Sequence, residues 1–243
     1  MKTLYLHIGT HKTGSTSLQN YLIDHAKGLE GYGLAFYTGM VEPGNHLELH
    51  VAAMRLDRLS FSKEKYDITG SPDYIRAVTE NVRRFQKNHH DKNLIFSTEA
   101  LNFLRHDDEI ERLKNILNSQ NYQVKIICVF RDPKFFIKSY RSQIEKAKNR
   151  QASDDPKSHL YVGDDSWMID YNAVREIWSR HFGEKNFIEI DYDKRVAESN
   201  DILPAALVAV GLPEVLISDT HKYRSNTNDI KARLRRFIAK TLK

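Results

Sequence analysis

The chain has 243 residues, a single cysteine and a formal charge of +5. With 40% apolar and 28% charged residues it can bury a sizeable core, and no apolar run approaches the ~20 residues a membrane-spanning helix needs. One cysteine excludes disulfides and cysteine-built metal clusters and suits a reducing compartment, so a cytoplasmic protein is expected; the basic excess fits a phosphorylated ligand or an acidic substrate but selects neither.

No composition shift divides the chain, which predicts one domain over residues 1–243. The apolar run at the start is broken by His7 and Gly9, which argues against a signal peptide. Lys2 to Ile8 predicts a short buried strand, and Leu18, Tyr21, Leu22 and His25 recur at helical spacing. Between them runs a loop punctuated by Gly9 and Gly14. Backbone N–H groups in such a loop, with the positive end of the next helix dipole, converge on a phosphate or sulfate. The glycines are spaced as in the phosphate loop of nucleotide-binding proteins, but Ser15 stands where that loop has lysine, and lysine occurs at position 12 instead.

A brief strand is expected within Gly31 to Tyr37, then a helix from about His46 to Leu59. His46 and His50 would share a face of that helix. Glu48 is misplaced for a zinc-binding His-Glu-x-x-His and no third ligand is evident, so no metal is expected; the pair reads as lining a substrate cleft or as plain surface residues. Ser71 and Pro72 open an amphipathic helix through Ile75, Val78, Val82 and Phe85. Asn93 to Thr98 is a buried strand ending on Glu99, a carboxylate where the chain leaves the sheet. Asp107, Asp108 and Glu109 complement the dipole of the next helix and carry no assigned chemistry.

Val124 to Phe130 is the most strand-like run, and Arg131 follows it at once. Asp132 is a good N-cap and Pro133 a good first helical residue, so a helix should begin there with Ser139 nearly two turns along it. Residues 152–166 are polar and aperiodic, the composition of a lid or binding loop. A helix opened by Asp170 and closed by Gly183, a strand from Asn186 to Ile190, an apolar helix near Asn200 to Val210 and a basic helix bearing Ile230, Leu234, Phe237 and Ile238 complete the chain. Strands alternating with helices call for a mainly parallel sheet covered on both faces, with ligands at the carboxyl ends of the strands.

Lys12-Thr-Gly-Ser-Thr16 resembles the 5′-phosphosulfate loop of sulfotransferases that use 3′-phosphoadenosine 5′-phosphosulfate (PAPS). Arg131-Asp-Pro with a serine eight residues after the arginine resembles their 3′-phosphate motif. Taken together, residues 3–242 resemble a compact bacterial-type member close to the glycan-modifying enzymes. That resemblance implies a phosphate-loop-type α/β fold with about five parallel strands, the first lying between those that carry the base and the 3′-phosphate arginine. It implies that Thr13, Gly14, Ser15, Thr16 and Ser17 hold the 5′-phosphate and that Lys12 neutralises the leaving group. Arg131 and Ser139 would hold the 3′-phosphate, Tyr192 would stand beside the adenine, and Arg224 would lie in a late loop over the 3′-phosphate. Tyr192 reads equally well as a plain residue after a strand, and Arg224 as part of a solvated connector. Glu99 is the expected base, with His46 in reserve; no metal is implied, and the acceptor would be a small molecule or glycan rather than nucleic acid. The rival readings are a phosphate-loop kinase, for which the lysine after Gly14 and a metal-holding aspartate are missing, and a non-catalytic anion or nucleic-acid binder, which leaves Glu99 unexplained.

Overall fold

The computed structural model describes residues 1–147, 150–214, 217 and 220–223. Arg224 and the basic helix expected around Ile230 to Ile238 lie outside the described residues.

The strands β1 (Lys2–Gly9), β2 (Leu34–Phe36), β3 (Asn93–Ser97), β4 (Tyr122–Phe130) and β5 (Phe187–Asp191) form a five-stranded parallel sheet in the order β2-β3-β1-β4-β5. Parallel neighbours require crossovers, and helices supply them. The helices α1 (Ser15–Asp24) and α2 (Ala26–Glu30) precede β2; α3 (Leu47–Ala53), α4 (Phe61–Tyr66) and α5 (Pro72–Asn88) precede β3; α6 (Asp107–Leu117) precedes β4. Next, α7 (Pro133–Lys146) and α8 (Tyr171–Phe182) join β4 to β5, and α9 (Tyr192–Ser199) and α10 (Leu203–Ala209) follow.

Side chains on a strand alternate between faces, and the two sides of the sheet are accordingly separate cores. Leu4, Leu6, Ile8, Phe96, Ile126 and Cys128 pack under α3, α5, α6 and α8, whereas Ile95, Ile127 and Val129 meet Leu18, Leu22, Leu203 and Leu207 of α1 and α10. Burial on both faces explains why the central strands read as continuous apolar runs. A third cluster joins Phe136, Ile137, Tyr140 and Ile144 of α7 to Phe103, Val162 and Met168. The stretch 152–166, with the composition of a lid or binding loop, is packed against α7 through Val162, and its His159 is also buried.

The helix expected from His46 to Leu59 is instead the short α3. Met54 is extended, and the next N–H, on Arg55, donates to Glu109 Oε1 at 3.0 Å. That carboxylate also accepts from Arg58 Nη1 at 2.8 Å and from the Arg105 N–H at 2.9 Å. Glu109 keeps its expected place in the first turn of α6, where it also accepts the His106 N–H at 3.3 Å, and is in addition a buried junction for Arg55, Arg58 and Arg105. The loss of the helix is a tertiary effect that local propensity does not contain.

Candidate active site

At the carboxyl end of β1 the chain turns through three left-handed residues, Gly9 (φ 77°), Lys12 (φ 65°) and Gly14 (φ 87°). Space demands glycine as well as conformation does: a Cβ on Gly9 would lie 2.5 Å from the Cβ of Glu99, and one on Gly14 2.6 Å from Ile202 Cγ2. The loop is stapled from inside. Thr10 donates to the Val129 carbonyl through its N–H at 2.8 Å and its hydroxyl at 3.0 Å, and the Thr13 hydroxyl donates to the Thr10 carbonyl at 2.5 Å. Gly14 is the N-cap of α1 and has no side chain to satisfy the free N–H groups of the first turn. The hydroxyl of Ser15 is buried and has no hydrogen-bond partner among the described residues. Free helical N–H groups, an orphaned buried hydroxyl and a cradle that a Cβ would fill fit a bound phosphate or sulfate. Thr13, Ser15 and Ser17 are buried around this cradle, and Thr16 and Lys12 are half-buried at its rim.

Glu99 stands on the β3 side of the loop. Its Oε2 accepts from Gln19 Nε2 at 3.1 Å, and its Oε1 lies 3.9 Å from His11 Nδ1. Gln19 also reaches Ser97 Oγ at 3.4 Å, which in turn meets His7 Nδ1 at 2.9 Å. Burial acts to raise the Glu99 pKa, but His11, its own backbone N–H, His7 and the Gln19 amide outweigh it and hold the carboxyl below its usual range. The side chain remains 21% exposed. An ionised, reachable carboxylate beside an anion cradle can accept a proton. Lys12 is also shifted downward, by burial first and then by Lys146 and Arg131, with Glu99 opposing.

Arg131 stands on the β4 side. Its Nη1 donates to the Lys12 carbonyl at 3.3 Å, and its guanidinium lies 5.1 Å from the Tyr192 ring and 6.0 Å from Phe135. Tyr171 donates to the Arg131 carbonyl at 2.9 Å and fixes the turn into α7. As expected, Asp132 caps that helix, accepting from the Lys134 and Phe135 N–H groups. Ser139 is half-buried one helical turn beyond Phe135. Asp193, the acid that follows Tyr192 and to which the sequence reading gave no role of its own, lies 4.0 Å from Arg131 Nε and accepts the Asp132 N–H at 2.6 Å. Tyr192 begins α9, with Asp191 as its N-cap, so the expected turn after β5 is a helix start.

His46 is elsewhere. It is fully buried among Phe36, Tyr37 and Phe96, and its Nδ1 accepts the Ser97 N–H at 2.9 Å. Burial pushes its pKa down to about 3. With that lone pair already engaged and no exposure, His46 closes the end of β3 rather than serving as the reserve base. His50 is equally buried, so the two are neither a surface pair nor lining residues. The sequence reading missed His11 and Gln19. Their signals were present: His11 adjoins Lys12 in the loop, and Gln19 lies one turn after Ser15, on the face that returns toward the sheet.

The fold is similar to that of solved structures. A sulfotransferase from Alicyclobacillus acidocaldarius superposes with a TM-score of 0.58 at 15% identity, over 98% of this chain and 92% of that one. The chain has a sulfotransferase fold. The sulfotransferase domain of the Synechococcus PCC 7002 olefin synthase matches with a TM-score of 0.48 at 14% identity, over 95% of this chain and 82% of that one. A sulfotransferase domain from the curacin biosynthetic pathway gives 0.45 at 12% identity, over 93% and 79%. No protein-family model matches the sequence, and no curated protein matches it either. Within the sulfotransferase fold seen here, β1 lies between β3 and β4, so the loop after β1 has the Glu99 turn on one side and Arg131 on the other.

Proposed function

We propose that the chain transfers a sulfuryl group from PAPS to a hydroxyl or amine of an acceptor, a small molecule or glycan. One observation carries this reading: the anion cradle at Gly9 to Ser17 lies between an ionised carboxylate, Glu99, and an arginine that stacks on a tyrosine, Arg131, at one edge of the sheet. PAPS, when bound, supplies the activated sulfuryl group. The α1 N-terminus and the Ser15 and Thr16 hydroxyls hold its 5′-phosphate, and Arg131 with Ser139 holds its 3′-phosphate. The Tyr192 ring, already stacked with Arg131, flanks the base. Lys12 presents an ammonium to the oxygen that gains charge as the bond to sulfur breaks, an interaction stronger in the transition state than before it. Glu99 draws away the proton of the acceptor. His7, Ser97 and Gln19 form the hydrogen-bonded support that aims this carboxylate.

Calorimetric titration of the whole chain with 3′,5′-ADP (PAP), the desulfated donor, and with Mg-ATP tests the reading. PAP should bind without magnesium and unaffected by EDTA, and Mg-ATP should bind far more weakly. Tighter binding of Mg-ATP, abolished by EDTA, would turn the assignment toward a kinase.

A further inference from the structure

Arg105 follows the turn Glu99–Phe103 that begins with the proposed base. Its guanidinium has only neutral acceptors among the described residues: Nη2 donates to Asn102 Oδ1 at 3.1 Å and to the Trp167 carbonyl at 3.5 Å. Nε and Nη1 are buried and have no hydrogen-bond partner among the described residues. The acids that follow it are engaged elsewhere: Asp107 with Arg180 and His181, Asp108 with Arg55 and Arg112, and Glu109 with the Arg58 guanidinium and the N–H groups of Arg55 and Arg105. Burial pushes the Arg105 pKa down to about 10 although the carboxylates of Asp170 and Glu109 act on it from a distance, so the group stays charged at neutral pH. A buried charge with unmet donors is among the more expensive features a fold can carry, and a structural role in holding Asn102 and Trp167 accounts for Nη2 alone.

The surroundings link this cation to the reaction edge. Trp167 lies 5.5 Å from the Arg105 guanidinium and 5.6 Å from that of Arg58. Its ring meets Phe103 at 5.2 Å, and Phe103 meets His11 at 4.8 Å. His11 is the residue 3.9 Å from Glu99, and its Nε2 is likewise buried without a partner. An aromatic wall with hydrogen-bonding nitrogens at intervals therefore leads from the carboxylate to an unpaired guanidinium. Planar, forked N–H donors match a carboxylate or sulfate oxygen pair. We propose that the acceptor bears an anionic group, a carboxylate or a sulfate ester, which docks on Arg105 beneath Trp167 while its reacting hydroxyl faces Glu99. The proposal rests on the sulfuryl-transfer reading for the role of Glu99, but the anion site itself does not.

The test compares D-glucuronate, glucose 6-sulfate and glucose, which share a ring and differ in charge. Trp178 is fully buried, so quenching by a bound sugar reports on Trp167. Titrations are run with and without saturating PAP. The anionic sugars should bind about tenfold or more tightly than glucose, the two anionic arms showing whether carboxylate or sulfate is preferred. Arg105→Gln should erase the difference while leaving PAP affinity and melting temperature near wild type. If that variant does not fold, Arg105→Met, which keeps the buried stem and removes the charge, takes its place. Equal binding of all three sugars, no binding of any, or an anion preference that survives loss of Arg105 overturns the proposal. Failure of PAP to bind would instead remove the sulfuryl-transfer reading, and the PAP-free titrations would still decide Arg105.

Discussion

Glu99 and Glu48 are two glutamates in protein-lined sites, and they are held in opposite ways. Glu99 sits at the sheet edge within reach of His11, Gln19 and its own backbone N–H, which keep it ionised. Glu48 has no exposure; it accepts the Met40 N–H at 3.1 Å, its other oxygen has no hydrogen-bond partner among the described residues, and it is pushed up to about 7, chiefly by burial. The histidines beside them diverge similarly, His11 half-buried near an accessible carboxylate and His46 locked behind Ser97. Chemistry at this fold's edge depends less on which residue types occur than on whether donors and solvent reach them. One region is arranged for exchange of charge, the other for closure of the core.

The largest expected difference between the two regions is kinetic. Glu99→Gln keeps shape and the Gln19 contact but removes the base, so single-turnover sulfuryl transfer should fall by about 10²–10⁴ with PAP affinity unchanged. Glu48→Gln should leave that rate within a few-fold of wild type. Comparable losses in both variants would dissolve the distinction, and near-normal transfer by Glu99→Gln would take Glu99 out of the mechanism.

Glycines in the two regions sharpen it further. Gly9 and Gly39 both have left-handed backbones, φ 77° and 88°; a Cβ would clash at Gly9, 2.5 Å from Glu99 Cβ, and be only tight at Gly39, 3.0 Å from the Glu42 carbonyl. Alanine at either position costs about 1–2 kcal/mol in backbone strain alone, a melting-temperature loss of roughly 2–8 °C. Gly9→Ala should also weaken PAP and slow transfer, because it presses on Glu99 and the loop. Gly39→Ala should affect melting only, and a PAP defect there would show that the two regions are coupled.

Much of this was legible in the sequence. The central place of β1 was implied by the sulfotransferase resemblance, whereas the strand ends, within a residue of Gly9, Ser97 and Phe130, and the caps Ser71, Asp132 and Asp170 follow from local signals that packing reinforces. His46, the length of α3 and the role of Glu109 did not, since each is decided by a partner about fifty residues away: Ser97 for His46, Glu109 for Arg55. The network from His7 through Ser97 and Gln19 to Glu99 was hidden for the same reason, being assembled across β1, β3 and α1.

A further difference lies in pH dependence. Glu48 titrates near 7 when folded against an ordinary 4.5, so the folded chain retains a proton there that the unfolded chain has released. This site's contribution is full below about 4.5 and is lost as pH rises through 7. His7, pushed down to about 4, and His46 and His50, to about 3, act in the opposite sense: their contribution is present above 6.5 and lost as pH falls. Glu48→Gln should therefore gain stability relative to wild type between pH 5 and pH 8, by about 1–3 kcal/mol. A Tm difference that is the same at both pH values would show that Glu48 does not titrate in that window.

The central claim is that the β1 loop and the β4 tip form one site for a doubly phosphorylated nucleotide, and calorimetry of Arg131→Ala with PAP and with AMP tests it most directly. A charge-assisted contact contributes about 1.5–3 kcal/mol, so PAP should weaken by roughly ten- to a hundredfold while AMP, which lacks the 3′-phosphate, binds as before. Equal weakening of both nucleotides, or of neither, would contradict it.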